Sequence, residues 1–212
     1  MKVAYIIGET KSDMETKEIK CIKFNLEFET IVTSSFFFDE DGSFDAIEKY
    51  EGEPFPADAI ICNDDDEAIG YLHGYRLYDS CDTHIKCDNV SGDCEIIAAA
   101  ICNKNGAVSK KYLSNDYNEI FILDCIEIDK QFRGRGIASA IILNLPRLLH
   151  YEFGCDSTVF LCASDYEAAS EYGFGSEEYK NGTRKLINFY RKFGYKLIKD
   201  NVMYCKSSDH AE

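Results

Sequence analysis

No stretch of this chain is long and apolar enough to span a membrane, so neither an integral membrane protein nor a membrane partner is expected. The first residues, MKVAYIIGETK, contain only a short apolar run and no small-residue cleavage site, which is unlike a signal peptide. Without an export signal we expect a cytoplasmic, reducing location, in which the ten cysteines stay free. Cys102, Cys125 and Cys162 fall within apolar runs, where free cysteine behaves as a small buried side chain.

Basic residues are also scarce. The chain has 23 lysines and arginines against 38 acids, and its net charge is −15. A protein that binds nucleic acid needs a basic surface, so we expect no nucleic-acid partner. An acidic chain suits a cationic acceptor such as an amine, a polyamine or a basic protein segment. The alternative is that the acidity only keeps the protein in solution.

Paired metal-ligand motifs are absent as well. Cys81, His84, Cys87 and Cys94 could gather around a zinc ion, but their spacing does not match the common paired patterns. We therefore predict no metal site.

The stretch from Glu119 to Leu149 organises the chain. It begins with a run that is apolar on both alternation phases, as expected of a central strand covered on both faces. A polar segment from Asp129 to Arg135 follows, with Gly134 and Gly136 where the backbone must turn tightly. The helical stripe after it consists of Ile137, Ile141, Leu145, Leu148 and Leu149. Pro146 should kink this helix or end it early.

The loop between this strand and helix predicts an anion site. Helix N-termini expose unpaired N–H groups and usually carry an acid in the first turn. This helix opens instead with Arg133 and Arg135, so an external anion would compensate, and the glycines would let it approach closely. The alternative is a tight connection with two solvated arginines.

The remaining elements are read from hydrophobic pattern and turn residues. Residues 1–91 contain strand-like runs, acidic turns and one isolated histidine, His73, for which we favour a structural role over that of a catalytic base. The strands are Val3–Ile7, Cys21–Val32, Ala59–Cys62 and Gly70–Tyr78, and the acidic segments are Asp39–Gly42 and Asn63–Glu67.

From Glu95 onward the pattern predicts further strands and a last helix. Asp165–Gly182 has no clear period and either borders an acceptor site or is a plain surface connection. Strands are predicted at Glu95–Cys102, Ala107–Leu113, Thr158–Ala163, Tyr195–Ile198 and Val202–Lys206, with a hairpin turn at Asn103–Gly106 and a helix at Arg184–Phe193.

Two motifs resemble a known family. Gln131–Gly136 fits the Q/R-x-x-G-x-G/A signature of the GNAT family of N-acetyltransferases, between a buried strand and a helix. Asn188–Tyr195 resembles the N-x-x-Y-x-x-x-G-F/Y helix end of that family, and its Asn-Phe-Tyr is locally most like the polyamine and small-amine branch. The likeness covers the second half of the chain, from Gly92 to Lys206.

The resemblance implies an α/β fold with a mostly antiparallel central sheet, a splayed parallel strand pair and flanking helices. Residues 92–206 would form the acetyl-CoA-binding core. Residues 1–91 would be an N-terminal portion of the same domain, and 207–212 a polar tail.

The resemblance also implies acetyl-CoA as the co-substrate. Its pantetheine would pair with the backbone of the central strand, and its pyrophosphate would rest on the amides of the glycine loop. The cofactor-binding residues carried over by position are Ile126, Glu127, Ile128, Gln131, Arg133, Gly134, Arg135, Gly136, Ile137, Ala138, Ser139 and Asn188.

The implied catalytic residues are Tyr190, Asp124 and Glu127. Tyr190 matches the family tyrosine that protonates the departing thiolate. Asp124, the first choice for the base, aligns with an acidic position of the polyamine branch, and Glu127 is the second choice. One bulge residue between these two acids would turn both toward the same side.

The expected activity is therefore acetyl transfer from acetyl-CoA to a primary amine of a small molecule, a polyamine or a protein. The alternative is a non-catalytic CoA-binding or interaction module on the same fold. The resemblance leaves a homodimer and an acyl donor other than acetyl open.

Overall fold

The computed structural model describes residues 3–6, 23–29, 54–63, 67–113, 119–153 and 157–206. The predicted acidic turn at 39–42, residues 64–66 of the second acidic run, the connection at 114–118 and the tail at 207–212 lie outside the described residues.

In the described ranges, eight strands form one sheet in the order β1-β2-β3-β4-β5-β6-β8-β7. Among the described strands, β5 and β6 form the parallel pair, and every other neighbouring pair is antiparallel. The strands are β1 (Val3–Ile6), β2 (Lys23–Glu29), β3 (Phe55–Cys62), β4 (Ala68–Tyr78), β5 (Glu119–Ile128), β6 (Thr158–Cys162), β7 (Lys196–Lys199) and β8 (Val202–Lys206).

Helices lie on both faces of this sheet. The helices are α1 (Thr83–Asp88), α2 (Gly92–Ile101), α3 (Ile137–Phe153), α4 (Tyr166–Tyr172) and α5 (Glu177–Arg191), with short 3-10 turns at Lys110–Tyr112 and Lys130–Phe132. This is the mixed, mostly antiparallel sheet with one parallel pair and flanking helices that the sequence predicted.

The strand β5 is buried on both faces, which confirms the reading of its apolar run. Phe121 and Leu123 pack in a core that includes the α3 stripe. Ile120 and Ile122 point the other way, into a core that includes α2 residues. We call these faces of the sheet the α3 side and the α2 side.

Helix α3 continues through Pro146 to Phe153, so it does not end early at the proline, and the predicted alternative of a kink stays a prediction. Leu145 is fully buried before the proline, and Leu148 and Leu149 are almost fully buried after it. Burial of these large side chains stabilises the helix on both sides of the missing hydrogen bond.

Glu95–Ile101 belongs to helix α2, and Cys102 follows it as the C-cap, so the predicted strand Glu95–Cys102 is wrong. Cys94, Ile97, Ala98 and Ile101 are buried at helical spacing. Ser91 caps the helix, its Oγ accepting the Cys94 N–H at 3.2 Å. The helical period of the buried residues could not be recognised in the sequence, because isoleucine and alanine also occupy exposed positions of this helix.

The predicted strand Ala107–Leu113 is also wrong. Val108 makes a single antiparallel bridge with Cys102, after which the chain enters a 3-10 turn. The turn before it is confirmed, since the Gly106 N–H donates to the Asn103 carbonyl at 3.0 Å.

The predicted insertion Asp165–Gly182 contains helix α4 and the start of α5, which begins at Glu177 rather than Arg184. Side-chain caps start both helices: Asp165 Oδ1 accepts the Ala168 N–H and Ser176 Oγ accepts the Tyr179 N–H. No helix in the described ranges combines the length and the apolar character needed to cross a bilayer.

Candidate functional site

A β-bulge interrupts β5 where its first candidate base lies. Leu123 pairs with Gly74 of β4 and Cys125 pairs with His73, so Asp124 is an extra residue without a partner on β4. A bulge shifts the alternation of the following side chains. The register shift confirms a bulge in this part of the strand, but the extra residue is Asp124 itself and not a residue between the two acids, as was predicted.

Asp124 and Glu127 both project from the α2 side of the sheet. Asp124 accepts a hydrogen bond at 3.2 Å from Ser91 Oγ at the start of α2. Glu127 accepts one at 2.9 Å from the Tyr71 hydroxyl directly across β4, and its side chain is exposed. Beyond the bulge, Ile126 and Ile128 pack with the α3-side core, so Glu127 between them faces the opposite side.

The parallel strands part at the same level. Pairing of β5 with β6 runs from Ile120 opposite Thr158 to Leu123 opposite Leu161. Strand β5 then continues to Ile128, while β6 ends at Cys162. Within the described ranges, the segment from Asp124 to Ile128 therefore has no β6 partner, and its backbone on that edge is open to a ligand except at the Ile128 carbonyl, which accepts a hydrogen bond from Arg133.

The glycine loop that follows β5 has the predicted tight backbone. Gly134 and Gly136 have φ of 74° and 83°, in the region that side chains other than glycine rarely adopt. A Cβ at either position would meet nothing within 4 Å. The glycines are thus required by the backbone conformation, and the space beside them is open.

The start of α3 offers free amides. Helix α3 has no acid in its first turn. Its first intrahelical hydrogen bond runs from the Ala140 N–H to the Gly136 carbonyl at 3.0 Å. The N–H groups from Gly136 to Ser139 therefore precede the helical ladder, as they do at an anion-binding helix start.

These elements enclose a cavity of about 490 Å³ on the α3 side. Most of the residues predicted to contact the cofactor line it, together with Phe132 and Phe189, which sequence reasoning missed. The predicted residues in its wall are Ile126, Glu127, Ile128, Arg133, Gly134, Gly136, Ile137, Ala138 and Ser139.

Gln131, Arg135 and Asn188 are not in this wall. Arg135 donates to the Gln131 carbonyl at 2.9 Å, and its guanidinium lies 5.0 Å from the centre of the Phe132 ring. Asn188 is exposed and accepts a hydrogen bond from Arg191 at 3.4 Å. The side chains of Arg135 and Asn188 thus bind other parts of the protein.

Arg133 fixes the loop to its surroundings. Its Nε donates to the Ile128 carbonyl at 2.8 Å, and its Nη1 lies 3.6 Å from Glu167 Oε2 of α4. Both arginines thus contact protein atoms, so the backbone amides are the better candidates for anion donors.

Tyr190 lies near the point where the strands part. Its ring packs on the α3-side core beside Phe189 and Tyr195, at 5.3 and 5.7 Å between ring centres. Burial raises the pKa of Tyr190 to about 12, with smaller contributions from the thiols of Cys125 on β5 and Cys162 on β6. Its phenol is therefore protonated near neutral pH and can act as a donor.

Asp93 and Tyr166 are site residues that sequence reasoning missed. The Asp93 carboxylate accepts a hydrogen bond from the Tyr166 hydroxyl of α4, and Asp93 is only 9% exposed. Burial raises the pKa of Asp93, the Tyr166 hydrogen bond lowers it, and the charge of Asp124 raises it further. The cap at Ser91 could have located the start of α2, but nothing in the sequence connects Asp93 with Tyr166.

His73 also has a partner that the sequence did not reveal. It lies opposite Asp58 of β3, and its Nδ1 is hydrogen-bonded to Asp58 Oδ1. The reading of His73 as an isolated strand histidine is therefore wrong.

Among the described residues, no group of three or more histidines, cysteines or acids could hold a metal ion. Of the suggested zinc ligands, Cys81 is exposed, whereas Cys87 and Cys94 are buried in the α2-side core. The cysteines of the described ranges have free thiols.

No family model and no curated protein matches the chain. Among solved structures, AtaTR bound with AcCoA is 12% identical with a TM-score of 0.39, and it covers 73% of this chain and 69% of that chain. The KacTA–DNA complex is 12% identical over 77% and 74% of the two chains with a TM-score of 0.42. SsHAT is 14% identical over 71% and 72% with a TM-score of 0.35. At these identities and TM-scores the likeness carries no argument about function.

Proposed function

We propose that this protein is an acetyl-CoA-dependent N-acetyltransferase that moves an acetyl group to a primary amine. The observation that carries the proposal is the coincidence of three features at one place. The segment Ile126–Ile128, which follows the bulge at Asp124 and lies beyond the parting of β5 from β6, borders one cavity together with the glycine loop. The bulge and the parting of the strands depend on the fold and are independent of the short motifs that suggested the family.

The residues in the cavity wall fit acetyl-CoA. The N–H groups from Gly134 to Ala138, with Ser139 nearby, would receive the pyrophosphate, and the open space beside Gly134 and Gly136 admits it. The Arg133 N–H, which was expected to contribute as well, donates to the Lys130 carbonyl at 3.3 Å. The backbone edge of Ile126, Glu127 and Ile128 that β6 does not pair, apart from the Ile128 carbonyl that binds Arg133, would bind the amides of the pantetheine. When bound, acetyl-CoA supplies an activated acetyl thioester.

Tyr190 would protonate the departing sulfur. It lies near Cys125 and Cys162, the strand residues on either side of the parting. The raised pKa of Tyr190 keeps its phenol protonated. The phenol therefore still holds a proton that it can donate when the thiolate develops beside it.

Asp124 is the preferred base. It lies at the bulge and faces α2, where a second carboxylate, Asp93, is close enough to sense its charge. Glu127 remains the second choice, because its carboxylate is exposed and already accepts a hydrogen bond from Tyr71.

A cationic amine is the proposed acceptor. The α2 side of the parting carries Asp93 and Asp124, and the whole chain has a net charge of −15. An ammonium group approaching this region gains Coulomb energy in the partly buried space between the carboxylates. A small amine, a polyamine or a lysine side chain would all meet this requirement.

The test combines binding and turnover. At a concentration of a hundred times its Kd, acetyl-CoA should stabilise the fold by about 2.7 kcal/mol, which a thermal-shift measurement detects. Release of free thiol in the presence of an amine panel then measures transfer. No thermal shift at millimolar acetyl-CoA would contradict the cofactor assignment, and binding without transfer to any amine would favour the non-catalytic CoA-binding module.

A further inference from the structure

The side chains of His73 and Asp58 form a hydrogen-bonded pair beside the proposed site. They lie opposite each other on β4 and β3, and their side chains are 27% and 40% exposed. Because Nδ1 faces the carboxylate, it carries the proton in the neutral imidazole, which leaves a lone pair on Nε2. A histidine held in this way by a carboxylate is oriented to accept a proton.

The pair lies on the α2 side of the sheet, as Asp124 does. Tyr75 and Leu77 of β4 pack with the α2-side core, and His73 precedes them on the same alternation phase. The His73 ring meets Tyr75 edge-on, with 4.8 Å between ring centres. Across the ladder, His73 pairs with Cys125, the residue directly after the bulge. Residues paired in this way have Cα atoms about 4.5–5.5 Å apart.

The proposed reaction needs a place for a proton. An acceptor amine is an ammonium ion near neutral pH and must lose a proton before it can attack a thioester. An imidazole is in general a stronger base than a carboxylate, so it binds that proton more strongly. A histidine beside the carboxylates is therefore the better final destination.

We propose that His73, oriented by Asp58, takes up the proton that the acceptor ammonium loses, either directly or by way of Asp124. The inference rests on the proposed N-acetyltransferase function. In this step an N–H bond of the ammonium breaks, its electron pair stays on nitrogen, and a new N–H bond forms at Nε2 of His73. The partly exposed imidazolium then releases the proton to solvent.

The rest of the reaction balances around this step. The free amine attacks the acetyl carbon, and the carbon–sulfur bond breaks as Tyr190 protonates the sulfur. After the attack the acylated nitrogen carries two protons. It keeps one as the amide N–H and gives the other to the phenolate of Tyr190. The products are the amide, the CoA thiol and one proton released from His73.

The titratable groups around His73 on the three packed strands allow this role. Burial raises the pKa of the Cys125 thiol, and hydrogen bonds to Glu127 and Cys125 raise the pKa of Tyr71, so both groups are neutral near pH 7. The facing groups are Asp58 from β3, Tyr71 and Tyr75 from β4, and Asp124, Cys125 and Glu127 from β5.

The experiment compares His73→Gln with wild type by thiol release from acetyl-CoA and a cationic amine, between about pH 5 and 9. Wild type should lose activity toward low pH, because a protonated His73 can no longer accept the proton. His73→Gln should be about 10²- to 10⁴-fold slower and should lack this acid limb. His84→Gln places the same substitution on α1, away from the pair, and should keep both rate and profile.

Asp58 and exogenous imidazole separate a proton-transfer role from a structural one. Asp58→Asn keeps an oxygen that can accept from Nδ1, so its rate should lie between those of wild type and Asp58→Ala. Added imidazole should partly restore the rate of His73→Ala, because a free base can use the vacated space. A merely structural histidine would not give this rescue, and the rescue remains informative if His73→Gln folds poorly.

Two results would overturn the inference in different ways. The first is a His73→Gln rate within about twofold of wild type with an unchanged acid limb, or a folded His73→Ala that imidazole does not rescue. Either result would exclude His73 from the reaction and leave the proposed acetyl transfer in place. No thiol release by wild type with any amine would remove the proposed function and this inference with it.

Discussion

At the scale of single residues, the site combines groups whose environments push them toward neutrality. Burial raises the pKa of both Tyr190 and Asp93, one a candidate donor and the other a carboxylate facing the acceptor side. Titratable groups with perturbed pKa values are concentrated at functional sites. Burying such a group beside another charge lowers the stability of the fold, so it is uncommon where it serves no function. Asp93 and Tyr190 are contributed by α2 and α5, which lie on opposite faces of the sheet.

Replacing Tyr190 with Phe should lower kcat about 10- to 10⁴-fold and leave the Kd of CoA unchanged, because only the proton donor is removed. Stopped-assay thiol release and a CoA thermal shift measure the two quantities. Tyr204→Phe is a matched control, since Tyr204 packs in the α2-side core away from the cavity. An unchanged kcat for Tyr190→Phe would exclude the tyrosine from the mechanism.

Replacing Asp93 with Asn should stabilise the fold at neutral pH. Because the folded-state pKa of Asp93 is raised, folding disfavours its charged form. This penalty is absent below about pH 4, where the carboxyl is protonated in both states, and is complete above the folded-state pKa. The variant should gain about 1 kcal/mol at pH 7 and nothing at low pH, as measured by denaturant unfolding. A gain that is equal at both pH values would contradict a charge effect.

At the scale of elements, the glycine loop depends on backbone conformation. Gly136→Ala should destabilise the fold by about 1–2 kcal/mol, because alanine at positive φ is strained. The same strain should displace the amides that precede Ala140 and weaken CoA binding. Gly92→Ala, at the start of α2 with nothing within 4 Å, should change neither quantity much. Equal CoA affinity in Gly136→Ala would show that the loop is not the anion site.

The sequence predicted those elements whose period is long and uninterrupted. Strand β5 and helix α3 were identified because their apolar residues follow one pattern over several turns or pairs. Helix α2 was predicted as a strand because its continuous apolar run fits a buried strand as well as a helix. Helix α4 was not predicted because its short acidic segment has no stripe of apolar residues at helical spacing. The bulge was foreseen from two acids in an apolar strand. The partners of His73 and Asp93 were not, since strand register and helix placement decide those contacts.

At the scale of the whole molecule, the net charge of −15 should attract a cationic acceptor amine and should not attract the anionic cofactor. Raising the salt concentration from about 0.01 to 1 M shortens the Debye length from about 30 to 3 Å. The KM for a cationic amine should therefore rise by about tenfold, as steady-state kinetics would show. An uncharged aromatic amine should show little change, and an equal change for both acceptors would contradict steering by charge.

The bulge in β5 has a consequence for how the chain can be divided. Its register exists only against β4, which belongs to the half of the sequence without a family motif. A fragment trimmed to the recognisable motifs would keep the glycine loop but leave β5 as a bare sheet edge, open to pairing with other chains. Engineering or evolutionary recombination of this protein must therefore exchange β4 and β5 together, because the unrecognised half is the template on which the recognisable strand is shaped.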